Sequence, residues 1–301
     1  MAATGAPPEL VSIQSDTLSA TVSSLGAELM RLQTAEGLEL LWDGDPAFWT
    51  GHSPLLFPIV GSVKEDRITV LGRHYPMARH GFARTSRFEL VEHERTRCRW
   101  CLRSNDETRS RYPFSFRLDM EYAIAGACLT MRATISNEGD VSMPASFGFH
   151  PAFRWPIDPD VPREQHEIRF EKSEPAPIRR LQNGLLGAAI PSPVRGDRLL
   201  LGDHLFVDDA LIFDRLESRA LSYGGPAGRR LELEFRRFPH LGVWSKPGAG
   251  FICLEPWQGF ASPVDFDGEL NEKPGVIQIP EGSTQVLELQ TRVSNQKATA
   301  P

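Results

Sequence analysis

The chain has no apolar run of the roughly 18 residues that a membrane-spanning helix requires. Its opening Met1-Ala2-Ala3-Thr4-Gly5 lacks the basic and apolar regions of a secretory leader. A cytoplasmic protein with no membrane partner is therefore expected. Nor is there a surplus of positive charge: 33 Lys and Arg stand against 39 Asp and Glu, a net charge of −6. That balance argues against the phosphate backbone of a nucleic acid as a partner. Cysteine is scarce, at Cys98, Cys101, Cys128 and Cys253. Cys98 and Cys101 have the spacing of a redox or zinc pair, but no second pair completes a site. On an extended strand their sulfurs would point to opposite faces, so neither a disulfide nor a metal is expected. No Ser/Gly linker, charge block or internal repeat divides the 301 residues. One domain over residues 10–294 is expected, with loose tails at 1–9 and 295–301.

What is abundant is turn and strand signal. There are 25 glycines and 24 prolines, and hydrophobic residues make up 41% of the chain, enough for a sizeable core. Phe116, Leu118, Met120 and Tyr122 alternate with polar residues, Ala125-Gly126-Ala127 turns, and Leu129, Met131, Ala133 and Ile135 alternate again. This reads as a β-hairpin ending at Asn137. Shorter alternations occur at residues 17–22, 88–91, 97–102, 231–235 and 286–289. The basic cluster Arg95, Arg97, Arg99 and Arg103 reads as the wet face of one such strand. Helical pattern is confined to single turns at 45–49 and 197–201. Many short strands with turns about every 8–12 residues predict an all-β sandwich or barrel. The proline- and charge-rich stretch 156–193 shows little periodicity and reads as a surface excursion beside a site.

Four stretches carry chemistry. In Ser146-Phe147-Gly148-Phe149-His150-Pro151 and in Cys253-Leu254-Glu255-Pro256-Trp257, an ionisable residue ends an apolar run immediately before a proline, which is expected to halt the strand. If the two converge, they form an acid/base pair. In Met77-Ala78-Arg79-His80-Gly81-Phe82-Ala83-Arg84, three donors cluster beside a glycine, suited to an oxygen-rich ligand. Ser53-Pro54-Leu55-Leu56-Phe57-Pro58-Ile59-Val60-Gly61 reads as an edge strand. Trp257, Trp244, Phe149 and Phe82 are candidates for apolar walls against a sugar's C–H face.

Taken in order, Leu55-Phe57-Pro58-Val60-Gly61, His80-Gly81-Phe82-Ala83-Arg84, Gly148-His150-Pro151-Phe153, Trp244-Ser245-Lys246-Pro247 and Glu255-Pro256-Trp257 resemble the aldose 1-epimerases, and most nearly their LacX-type branch. Leu41-Trp42 and Tyr112-Pro113-Phe114 fit the same pattern, so the resemblance spans about residues 10 to 292. It implies a galactose-mutarotase-like β-supersandwich of largely antiparallel sheets, with a small-molecule sugar in an open cleft and no cofactor. Glu255 would be the general base, His150 the general acid, and His80 a sugar-binding group. Arg84, Arg79, Trp257 and Lys246 would be further contacts. Two departures matter. Galactose mutarotases carry an arginine where this chain has Ser62-Val63-Lys64, and a substrate-binding aspartate where it has Trp244-Ser245-Lys246.

The chemistry is consistent with those roles. Opening a pyranose takes a proton from the C1 hydroxyl and delivers one to the ring oxygen; reclosure on the other face uses the same groups in reverse. A carboxylate and an imidazolium suffice, provided that a nearby negative charge holds the imidazole protonated. Three readings stand: a mutarotase of a free aldose, working as a monomer or homodimer; a hexose-6-phosphate 1-epimerase, suited by Arg79, Arg84 and Lys246; and a non-catalytic carbohydrate-binding protein. Glycoside hydrolysis by Asp265 or Asp267 lacks any placement across a glycosidic bond.

Overall fold

A computed structural model describes residues 7–296. Most of the expected tails at 1–9 and 295–301 lies outside these residues. Asn295 and Gln296 are not tail, because they continue the strand Thr284–Gln296 and pair with Arg229 and Gly228.

The described residues are all-β and antiparallel, in two large sheets and three small ones. The larger sheet has nine strands and is built around the predicted hairpin, Phe116–Ala125 with Cys128–Asn137. The other large sheet carries the site. Its order is Leu185–Ile190, Ile178–Gln182, Leu211–Phe213, His240–Trp244, Phe251–Gln258, Phe147–Phe149 and Leu55–Leu56, with Ala152–Arg154 also paired to Phe251–Gln258. One core joins the two sheets through ring contacts such as Phe57 on Phe116 at 5.1 Å and Phe170 on Phe213 at 5.5 Å. Leu55–Leu56 is an edge strand, as its prolines predict.

Several expectations are corrected. Residues 197–201 form no helical turn; Arg198–Leu200 is a strand edge paired with Glu167–Phe170. The short helix is instead Asp106–Arg109, with the Asn105 side chain accepting from the Thr108 amide, a cap that outranks the absent apolar periodicity. The 156–193 stretch is no irregular excursion, since it supplies strands Glu167–Phe170, Ile178–Gln182 and Leu185–Ile190. Their alternation is weak because both faces are partly covered. Cys98 joins the main core and Cys101 lies on the opposite face, as expected, but both are buried and free. Cys101 ends up under the side chains of Arg117 and Asp119 on the next strand.

Pro256 does not halt its strand: Phe251–Gln258 runs through it. On one side Pro256 pairs with Leu241. On the other, the neighbouring chain is broken at His150-Pro151 into Phe147–Phe149 and Ala152–Arg154. The missing N–H of Pro256 falls opposite Phe149, where the ladder to this neighbour has already stopped at Gly148 and Trp257.

Candidate active site

The break in the neighbouring strand explains how two sequence-distant residues meet. Gly148 pairs with Trp257 below the break and Ala152 pairs with Cys253 above it, so one register runs through both halves. That register sets His150 opposite Glu255, although 104 positions lie between them. Along Phe251–Gln258 the strand period then sorts the side chains. Ile252 and Leu254 join the main core, while Phe251, Cys253, Glu255 and Trp257 face the other way.

On that second face lies a cleft of about 300 Å³, at the small end of small-molecule sites. His150, Glu255, His80, Arg79, Arg84, Trp257 and Trp244 all line it. Lys246 does not: it donates from Nζ to the Phe48 carbonyl at 3.1 Å, outside the lining. Phe82 and Phe149 do not line it either, being core side chains buried between the sheets. The wall residues not foreseen include Trp49, Asp209, Ile212 and Ala261.

Trp257 lies across two neighbouring strands at positions with no side chain. A Cβ on Gly148 would come within 2.5 Å of its indole, and one on Gly242 within 2.4 Å. Gly148 lies opposite the tryptophan in register and Gly242 lies opposite Glu255 on the other neighbour, so the indole covers both glycines and closes the floor beside Glu255. On the other side Trp49 stacks on the His150 ring, with centroids 5.1 Å apart and planes 29° apart.

His150 Nε2 and Glu255 Oε2 are 3.1 Å apart, with side chains 9% and 2% exposed. Oε2 lies off the line of a hydrogen bond and has no partner, nor does His150 Nδ1. Burial raises the Glu255 carboxyl well above the usual carboxylate range, against a smaller opposing effect of Arg79. Burial also drives His150 down to about 3, and Arg79 and Arg84 push it further the same way. The expectation that a carboxylate holds this imidazole protonated is therefore not met. With water excluded, the cost of two buried charges outweighs their attraction, and the proton of the pair rests on the carboxyl.

His80 sits at φ +66°, a strained position for a residue with a Cβ. It is held by its own amide donating to the Gly61 carbonyl at 2.8 Å. Burial lowers its imidazole well below the ordinary value, so it is neutral. The Gly61 amide points at Nδ1 from 3.1 Å. A backbone donor cannot turn, so Nδ1 accepts and Nε2 carries the proton. That proton faces Arg79 Nε, itself a donor, 3.2 Å away. Nothing fits between two nitrogens this close, so a ligand oxygen accepting from both would lie beside them and replace the direct contact. Arg84 donates to the Arg79 carbonyl at 3.3 Å, and neither guanidinium has a carboxylate within ion-pair distance among the described residues.

Asp209 is an acid that also lines the cleft. It reaches the cleft from a loop at φ +68°, fixed by Arg180, which donates to the carbonyls of Asp209 and Leu205 at 2.5 and 2.7 Å. Asp208-Asp209-Ala210 before the apolar Leu211-Ile212-Phe213 is the visible signal, an acid just ahead of a short strand. Among the described residues, His150, Cys253 and Glu255 bring donor atoms within 4.8 Å of one another. Burial holds the Cys253 thiol well above its ordinary range.

Together these elements define an antiparallel β-supersandwich with a walled cleft that brings His150 and Glu255 together. The aldose 1-epimerase family model matches residues 9–289, and the chain belongs to that family. It is 31% identical to the plasmid-encoded protein LacX of Lactococcus lactis subsp. lactis, over 89% of this chain and 94% of that one. Among solved structures it resembles a galactose mutarotase related enzyme from Lactobacillus acidophilus, with a TM-score of 0.89 and 28% identity over 97% of this chain and 100% of that one. A galactose mutarotase-like protein from Lactobacillus casei gives a TM-score of 0.87 at 27% identity, covering 95% of this chain and all of that one. The fold is therefore galactose mutarotase-like.

Proposed function

We propose that this protein is a cofactor-independent mutarotase that interconverts the α and β anomers of an aldose. The observation that carries the reading is the register-locked, buried His150–Glu255 pair at 3.1 Å. Ring opening with Glu255 as base and His150 as acid converts an ion pair into the neutral pair, and reclosure converts it back. Burial favours the neutral form. In the resting site the proton is on Glu255, so ring opening begins from the ion pair created when that proton passes to His150, and the opening step then removes the buried charges. Neutral His80 and Arg79 jointly hold one sugar oxygen, Asp209 takes a hydroxyl opposite, and Trp257 and Trp49 exclude water.

The test is polarimetry on freshly dissolved α-glucose and α-galactose. Acceleration by the wild type that disappears in Glu255→Gln supports the reading; acceleration that survives the substitution refutes the mechanism. A second reading, epimerisation of a sugar bearing an anionic group such as a hexose 6-phosphate, is favoured by Arg79 and Arg84, neither of which is paired with a carboxylate. Faster catalysis on glucose 6-phosphate than on glucose would select it.

A further inference from the structure

Lys273 is 3% exposed, and no carboxylate lies within ion-pair distance of it among the described residues. Its ammonium donates to the Phe260 carbonyl and lies 5.4 Å from the centre of the Phe260 ring. Holding charge unpaired in a core is costly, and burial lowers the Lys273 amine to about 7; no step of the proposed chemistry uses it. Its surroundings give it a purpose.

Phe260 lies just beyond the end of the Glu255 strand at Gln258, and the next residue, Ala261, lines the cleft. Ala261 abuts Gly61 so tightly that a Cβ on Gly61 would come within 2.6 Å of the Ala261 Cβ. The Ser262 amide ties the same segment to the Ser62 carbonyl at 2.9 Å. Gly61 in turn holds His80 twice, through its amide to Nδ1 and its carbonyl to the His80 amide. From the far side, the Gly259 amide donates to buried His240 Nδ1 at 3.1 Å.

Resting on the mutarotase reading, we infer that Lys273 is a positioning residue: its hydrogen bond to Phe260 sets the Ala261–Gly61 contact, and through it the placement of His80 in the cleft. A small misplacement at a distance from the chemistry can cost up to about 10²-fold in rate. Methionine at 273 keeps most of the volume and removes the buried charge, so it tests position with little cavity.

The experiment measures mutarotation kinetics, thermal melting and histidine-ring NMR on Lys273→Met and Lys273→Arg in the full chain. For Lys273→Met, the expected result is a loss of kcat/KM of about 10- to 100-fold, carried largely by kcat, with no fall in melting temperature and displaced His80 ring signals. Lys273→Arg, which keeps a charged donor, restores most of the rate and returns the His80 signals toward their wild-type positions. Unchanged kinetics in folded Lys273→Met overturns the inference. So does a loss that merely follows the unfolded fraction while the His80 signals stay in place. If Lys273→Met does not fold, the Arg variant decides through the same His80 signals and kcat. If the wild type accelerates no anomer exchange, the mutarotase reading fails by itself. The His80 signals of the Met variant then still decide the positioning claim, and unmoved signals refute it.

Discussion

Replacing Glu255 with Gln should abolish catalysis and at the same time make the protein more stable at neutral pH. The amide cannot carry the proton, and general acid–base catalysis of this kind is worth roughly 10²–10⁴-fold, or about 3–5 kcal/mol of barrier. The stability effect follows from the raised carboxyl. An acid whose folded-state pKa lies above its unfolded value contributes stability below the unfolded value, near 4.3. That contribution is lost as pH rises through the folded value, at about 1.4 kcal/mol per unit. Gln is nearly isosteric with the protonated acid and carries no such loss. Its N–H can also face His150 across the 3.1 Å gap. The assay pairs polarimetry with thermal melts at intervals between about pH 4 and pH 8. The variant's advantage should be small at the acid end and grow with pH. Activity within a few-fold of wild type would refute Glu255 as the base, and a melting temperature that falls below wild type at neutral pH would refute the placement of the proton on it.

Other consequences are equally direct. Because His150 is lowered to about 3 and His240 to about 4, both contribute stability above their unfolded value near 6.5, which is lost as pH falls toward those values. His150→Asn should flatten the acid limb of a stability–pH curve by up to one proton, and an unchanged slope counts against the burial argument. Gly148→Ala should cost about 1–3 kcal/mol by overpacking Trp257, with a smaller cost in a Trp257→Leu background; equal costs in both would exclude that contact as the cause. Asp209→Asn should raise KM by roughly tenfold or more, as expected for losing a charged hydrogen bond worth about 1.5–3 kcal/mol, with kcat little changed; an unchanged KM would remove Asp209 from the sugar contacts.

Much of the fold is written in local pattern. The Phe116–Ala125 and Cys128–Asn137 hairpin is legible because its period of two and its glycine turn involve only neighbouring residues. The same holds for the strands at 97–103 and 228–234. The 156–193 stretch hides its strands because partial cover on both faces removes the alternation that burial on one face imposes. The identities of the chemical groups are also legible: His150, Glu255, His80, Arg79, Arg84 and Trp257 meet in one cleft.

What the sequence determined, then, is which residues can carry the chemistry and which local segments extend or turn, since both depend on the side chain and its immediate neighbours. What only the tertiary structure decided is register and exclusion of water. The break at Pro151 passing Pro256 sets the acid opposite the base. Placement of a loop carbonyl takes Lys246 out of the cleft, and the turn after Phe206 brings Asp209 in. Burial, which no residue has alone, moves the proton of the pair from the imidazole to the carboxyl.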